Sequence, residues 1–158
     1  MEWLEALTDH IVAVDTAPLI YFIEDNPTYA PLLGPFFEAV DDGKIRTVTS
    51  TITLLEVLIH PLRHHLPELA RRYREILLHA AGLSTVPVTA AIAERAAGLR
   101  AEHNLRTPDA IQLATAIESG ASHILTNDVD FPKRPDLQIL LLSQLVSLGA
   151  DKLPTDWP

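Results

Sequence analysis

Five short runs of strand-forming residues, with helical segments between them, constrain this fold more than any other feature. They are IVAV (Ile11–Val14), IRTVTS (45–50), STVPV (84–88), HILT (123–126) and LQILLL (137–142). Aliphatic and β-branched residues dominate them, as pleated surfaces favour. Pro18 fits the first turn of a helix running to about residue 25. Residues 28–42 read as a second helix, its first half weakened by Pro31, Gly34 and Pro35. Asp42-Gly43 marks a turn. Residues 51–59 continue as a helix that ends near Pro61, and 67–81 form one closed by Gly82. Thr89 caps a helix through Glu102. Thr107-Pro108-Asp109 combines a hydroxyl N-cap, Pro at the first position and an acid in the first turn, and that helix ends at Gly120. Strands separated by helices predict an α/β fold, with a parallel sheet covered on both faces.

Four acids stand beside apolar runs. They are Asp15 in IVAVDTAPLIYF, Glu56 in TVTSTITLLEVL, Asp109 in LRTPDAIQLATAI and Asp128 in HILTNDVDF. A carboxylate so close to a core costs free energy unless something compensates it. Four of them from distant segments imply one shared compensator, and a hard divalent cation such as Mg²⁺ or Mn²⁺ takes oxygen ligands. In an open parallel sheet, ligands bind outside the carboxyl ends of the strands. Asp15 ends the first strand and Asp128 follows the fourth. Glu56 and Asp109 lie on early helical turns that can face the same edge. Clustered carboxylates resist joint ionisation without a cation. With one they could hold an ion and a water for phosphoryl chemistry.

Each acid also has a plain structural explanation. Asp109 is favoured by the helix dipole, Asp128 could be a turn residue, and Asp15 could cap the helix after it. Glu56 has the weakest such explanation, because TLLEVLI is apolar around it and a lone buried Glu is rare. Thr126 is either a strand-end hydroxyl or a partner for carboxylate or phosphate. Arg106, just before the Asp109 helix, is the candidate phosphate contact.

A length of 158 residues fits one domain over 1–158. Its core is expected at about 11–145, with a short N-terminal extension and a loosely held tail, DKLPTDWP. The absence of cysteine excludes disulfides, zinc thiolate sites and cysteine nucleophiles. A net charge of −9 argues against a general nucleic-acid binder, although bound metal would offset part of it. No apolar run approaches the ~20 residues that span a bilayer, so no membrane association is expected. The opening MEWLEALTDH is acidic and lacks a basic segment, so a signal peptide is not expected and a cytoplasmic location is. His60, His64 and His65 lack the spacing of a ligand set. Arg71, Arg72 and Arg74 read as a solvated helix face with Glu68 and Glu75 as partners. Asp15 is followed by Thr16 and Ala17, not by a second acid, which disfavours receiver domains and haloacid-dehalogenase-like phosphatases. Neither the P-loop nor the dinucleotide fingerprint is present.

VDTAPLIYF, STITLLEV, LRTPDAIQLATA and ILTNDVDF resemble the four signature blocks of the PIN-domain nucleases, in family order, over about 11–145. Within that family the chain is most similar to the VapC-like toxins of type II toxin–antitoxin pairs. The resemblance implies a three-layer α/β/α fold with a central parallel five-stranded sheet. It implies Mg²⁺- or Mn²⁺-dependent endoribonuclease activity. Carried over by motif, Asp15, Glu56, Asp109 and Asp128 are catalytic and hold the metal, with Thr126 as the catalytic hydroxyl. It further implies an RNA substrate, a cognate antitoxin and a homodimer. The competing reading is a catalytically inactive PIN-like module that binds RNA or protein. The chain departs from the pattern at Ala17, where the family often has Ser. It also carries a second late acid, Asp130, but the T-x-D spacing favours Asp128.

Overall fold

The computed structural model describes residues 1–149, and the tail DKLPTDWP lies outside them. All five expected strands form: β1 (Ile11–Val14), β2 (Arg46–Ser50), β3 (Leu83–Val86), β4 (His123–Thr126) and β5 (Gln138–Leu141). They pair in parallel in the order β3-β2-β1-β4-β5. The helices are α1 (Glu2–Glu5), α2 (Thr16–Ile23), α3 (Ala30–Asp41), α4 (Thr51–Arg63), α5 (Pro67–His79), α6 (Ala90–Glu102), α7 (Thr107–Glu118) and α8 (Leu142–Ser147). Alternation along the strands sorts them into two layers. Val12 and Val14 of β1 join a core built with α1 to α5 and α8, whereas Ala13 faces a second core formed with α6 and α7. A strand buried on both faces needs the apolar run that IVAV supplies. Among the described residues, no helix is long and apolar enough to cross a membrane.

This strand order positions the site. From β1 the chain steps outward to β2 and β3, then returns past β1 to lay down β4 and β5. The direction of winding reverses between β1 and β4, and a crevice opens there at the carboxyl ends.

Several local expectations change in the folded chain. α3 runs through Pro35, and α4 passes Pro61 to reach Arg63 instead of ending there. Each Pro deletes one backbone bond. In α3 the burial of Leu32, Leu33, Phe36, Phe37 and Val40 outweighs that loss, and Pro61 is itself buried. Thr107 is the first residue of α7 and not its N-cap. Arg106 holds the cap position without a side-chain bond, and the Thr107 hydroxyl accepts from Arg100 at 2.9 Å. Leu142, assigned above to the last strand, starts α8. The stretch before Ile11, read as an extension, carries Trp3 and Leu7, both fully buried, with Trp3 stacked on Phe36 at 6.0 Å. Gly82 has φ +79°, and a Cβ there would lie 2.7 Å from a Val40 methyl and 2.8 Å from the Val40 carbonyl oxygen. The end of α5 therefore tolerates only glycine without movement of α3.

At the opposite edge of the sheet from the crevice, the Ser122 hydroxyl lies 2.9 Å from His10 Nδ1 and 2.8 Å from His123 Nδ1. Burial, reinforced by the nearby His10, lowers the His123 pKa from 6.5 to about 4. The folded state thus holds the neutral imidazole, while the unfolded chain takes up a proton below 6.5. His123 should therefore leave stability unchanged above pH 6.5 and erode it as pH falls toward 4. Thermal melts across this range should show a smaller acid-side decline for His123→Gln than for wild type. Parallel declines would place the imidazole pKa near its ordinary value.

Candidate active site at the carboxyl edge of the sheet

All four sequence-flagged acids line one cavity of about 560 Å³, together with Arg106, Asn127 and Asp130. They arrive from four elements. Asp15 caps α2 directly after β1, Glu56 is in the second turn of α4, Asp109 is in the first turn of α7, and Asp128 follows β4. Thr126 lies beneath them, fully buried at the end of β4.

Asp15 is the deepest of the four, at 9 % exposure. Its Oδ1 accepts the Thr16 N–H at 2.8 Å and its Oδ2 accepts the Thr126 hydroxyl at 2.7 Å. The Thr126 oxygen in turn accepts the Asp128 N–H at 3.0 Å, so one hydroxyl ties the last acid's backbone to the first acid's side chain. Burial raises the Asp15 pKa above its ordinary 3.8, against the two hydrogen bonds, and Asp109 and Glu56 raise it further. Asp15 thus acts both as a helix cap and as a carboxylate in a strained electrostatic setting.

Glu56 is half-buried, not enclosed as its apolar sequence context implied. Its Oε1 accepts the Thr16 hydroxyl at 2.9 Å. Behind that hydroxyl lies a buried polar cluster that the sequence reading missed. Gln112 Nε2 donates to Thr53 at 2.6 Å and to Thr16 at 3.2 Å, and the Thr53 and Thr49 hydroxyls are 2.9 Å apart. Thr49 also donates to the Val14 carbonyl at 2.7 Å. Such fully satisfied networks rigidify their surroundings. A signal was present in the spacing. Thr53 precedes Glu56 by three positions and Gln112 follows Asp109 by three, so each shares a helix face with an acid.

Asp109 faces the cavity with its side chain 13 % exposed, while its ion-pair partner Arg106 is 80 % exposed, Nε to Oδ2 at 3.0 Å. The hydrogen bond and charge of Asp109 raise the Arg106 pKa further. Only one guanidinium donor is used there, so others remain for an incoming anion. Asp128 Oδ1 accepts the Asp130 N–H at 2.9 Å, a local turn that leaves both acids at the cavity wall. Ala17 also lines the cavity, and the Thr16 hydroxyl beside it reaches Glu56. The Arg71 side chain pairs with Glu68 and Glu75 as expected of a solvated face.

Among the described residues, no three acids or histidines converge into a ready-made metal cage. The donor set still fits a hard cation. It is all oxygen, one member is buried with its ionised form disfavoured, and an open cavity leaves room for water. Mg²⁺ in particular retains several waters and binds through one or two carboxylates.

A parallel α/β/α sandwich with an acid-lined crevice at its winding reversal defines the class of this protein. The PIN domain family model matches residues 12–137, and the chain belongs to that family. Among solved structures, it is similar to a toxin–antitoxin complex from Klebsiella pneumoniae, at 28% identity and TM-score 0.62, covering 80% of this chain and 94% of that one. VapBC2 from Rickettsia felis, bound to a promoter DNA fragment, matches at 20% identity and TM-score 0.66, covering 83% and 98%. VapC20 of Mycobacterium tuberculosis, a Sarcin-Ricin loop cleaving toxin, matches at 20% identity and TM-score 0.63, covering 75% and 91%. The latter two likenesses are of fold. A comparison with curated proteins gives no match.

Proposed function

We propose that this protein is a metal-dependent endoribonuclease, the toxin of a toxin–antitoxin pair. The observation that carries the reading is the convergence of Asp15, Glu56, Asp109 and Asp128 on one cavity from four separate elements. An inactive binding module has no use for four mutually repelling carboxylates. Family membership and the likeness to a toxin–antitoxin complex support the same reading.

Asp15 and Asp109 are the proposed ligands of Mg²⁺ or Mn²⁺, with Glu56 and Asp128 completing the set. The ion, when bound, supplies a water of lowered pKa and positive charge beside the phosphate. The protein's own part is orientation. Thr126 and the Thr16 N–H hold both oxygens of Asp15, so its carboxylate cannot rotate. The Thr16 hydroxyl fixes one oxygen of Glu56 and leaves the other free to accept a proton from an attacking water. Arg106 offers its unused donors to a phosphate oxygen of the substrate. Purified protein incubated with RNA should cleave it in Mg²⁺ or Mn²⁺ and cease in chelator. Binding of RNA without cleavage under any divalent ion would favour the inactive module.

The proposed partners are the RNA, a cognate antitoxin and a second copy of the chain, in the cytoplasm. A basic antitoxin side chain seated among the carboxylates would form charge-assisted bonds in place of metal. The complex should then bind Mg²⁺ more weakly than the free toxin in a calorimetric titration. Equal affinities would place the antitoxin away from the acids. For the homodimer, Leu55, Ile59 and Leu62 form an exposed apolar stripe at 4-3 spacing along α4, the seam pattern with which like helices pair.

A further inference from the structure

A second hollow, of about 370 Å³, adjoins the acid cavity, and Asp128 stands on the wall of both. The link from β4 to β5 and the strand β5 itself enclose it. Its wall is mixed, with half-buried Ile139 and Leu141 and 72 % exposed Val129 beside the charged Asp128, Lys133 and Arg134. Its rim is polar but differs in sign from the first cavity. Lys133 is exposed and forms no ion pair or hydrogen bond among the described residues, and the side chain of Gln138 likewise has no partner.

A chain of net charge −9 with an acid-lined pocket repels a polyanionic strand along its whole length. Charge compensation at the scissile phosphate leaves the neighbouring phosphates unattended. Lys133 is a free cation set one hollow away from the acids. The adjoining volume of about 370 Å³ lies within the range of small-molecule sites. A base flattened against these aliphatic side chains would remove Val129 from water.

We propose that this hollow seats the nucleotide that flanks the scissile phosphodiester of a single-stranded RNA. The base lies against Val129, Ile139 and Leu141, and Lys133 contacts its phosphate. The subsite rests on the ribonuclease reading, and its test separates the two. Lys133 and Val129 are exposed, so Lys133→Glu and Val129→Asp leave the core untouched. The probe is a fluorescein-labelled single-stranded RNA of roughly a dozen nucleotides, a length suited to such grooves. Anisotropy in chelator reads binding, and steady-state cleavage in Mg²⁺ reads KM against kcat.

Both variants should weaken binding and raise KM by about tenfold, with kcat changed far less. The salt dependence of binding should shallow by about one phosphate's share for Lys133→Glu. Unchanged affinity and KM in both variants would overturn the proposal. Weakening by Lys133→Glu alone would leave a phosphate contact without a base seat, and would also overturn it. Loss of antitoxin capture with RNA affinity intact would make the hollow a protein socket instead, again overturning it. If neither wild type nor variant cleaves RNA but both substitutions weaken binding, the hollow remains an RNA seat, while the ribonuclease reading and the flanking assignment fall.

Discussion

Asp15→Asn and Asp109→Asn should each reduce RNA cleavage by about a hundredfold or more, on the scale of losing one group that stabilises developing charge. Both remove an anionic oxygen from the proposed metal site while keeping the size of the side chain. Neither should unfold the protein. An Asn at position 15 can still accept the Thr16 N–H, and its amide can donate to the Thr126 hydroxyl, which is able to accept. At position 109 the loss is an ion pair with an 80 % exposed arginine, worth under about 1 kcal/mol. In chelator, Asp15→Asn should melt no lower than wild type. Burial and the charges of Asp109 and Glu56 already disfavour ionisation of Asp15, and the amide escapes that cost. Cleavage assays in Mg²⁺ and Mn²⁺, with circular dichroism of the same samples, decide the matter. Wild-type turnover by either folded variant removes that residue from the proposed chemistry.

Trp3→Ala should cost about 3–5 kcal/mol of stability, the range for deleting a buried aromatic. Trp3 is fully buried and stacked on Phe36, so the truncated site loses both area and the ring contact. Its indole N–H meets no acceptor among the described residues. A buried donor without a partner carries its own penalty. Trp3→Phe should therefore cost much less than Trp3→Ala, because the smaller ring keeps the stacking and discards the unpaired donor. Urea unfolding of the three proteins measures both differences. Near-wild-type stability of Trp3→Ala would show that α1 contributes little to the core it covers.

The strands and the acids were readable in sequence for a shared reason. Each strand is a local run, and each acid is conspicuous against the apolar residues beside it. What escaped depended on contacts between distant segments. Four residues of α1 cannot hold a helix by propensity alone. Trp3 and Leu7 order it by reaching the α2–α3 layer, and no local pattern announces that. Pro35 and Pro61 spoke for helix breaks, and burial of their neighbours overruled them. Gln112 looked like an incidental polar residue in an apolar helix. Its partners, Thr16 and Thr53, lie 96 and 59 residues away. Glu56 was expected to be enclosed. Yet a helix can turn such a residue toward a crevice, which leaves it half-open while its neighbours are buried.

The pairing of β1 with β4 also bears on when the cavity comes into existence during synthesis. Thr126 steadies Asp15 across a separation of 111 residues, and Asp128 is delivered only after that. Contacts this far apart in sequence form late, because the chain must close a long loop before they can be made. A nascent polypeptide that still lacks β4 has the first acid but neither its hydroxyl support nor its partner across the crevice. On the ribonuclease reading proposed above, a chain that ends before β4 lacks an assembled site. The cavity is complete only as translation nears its end.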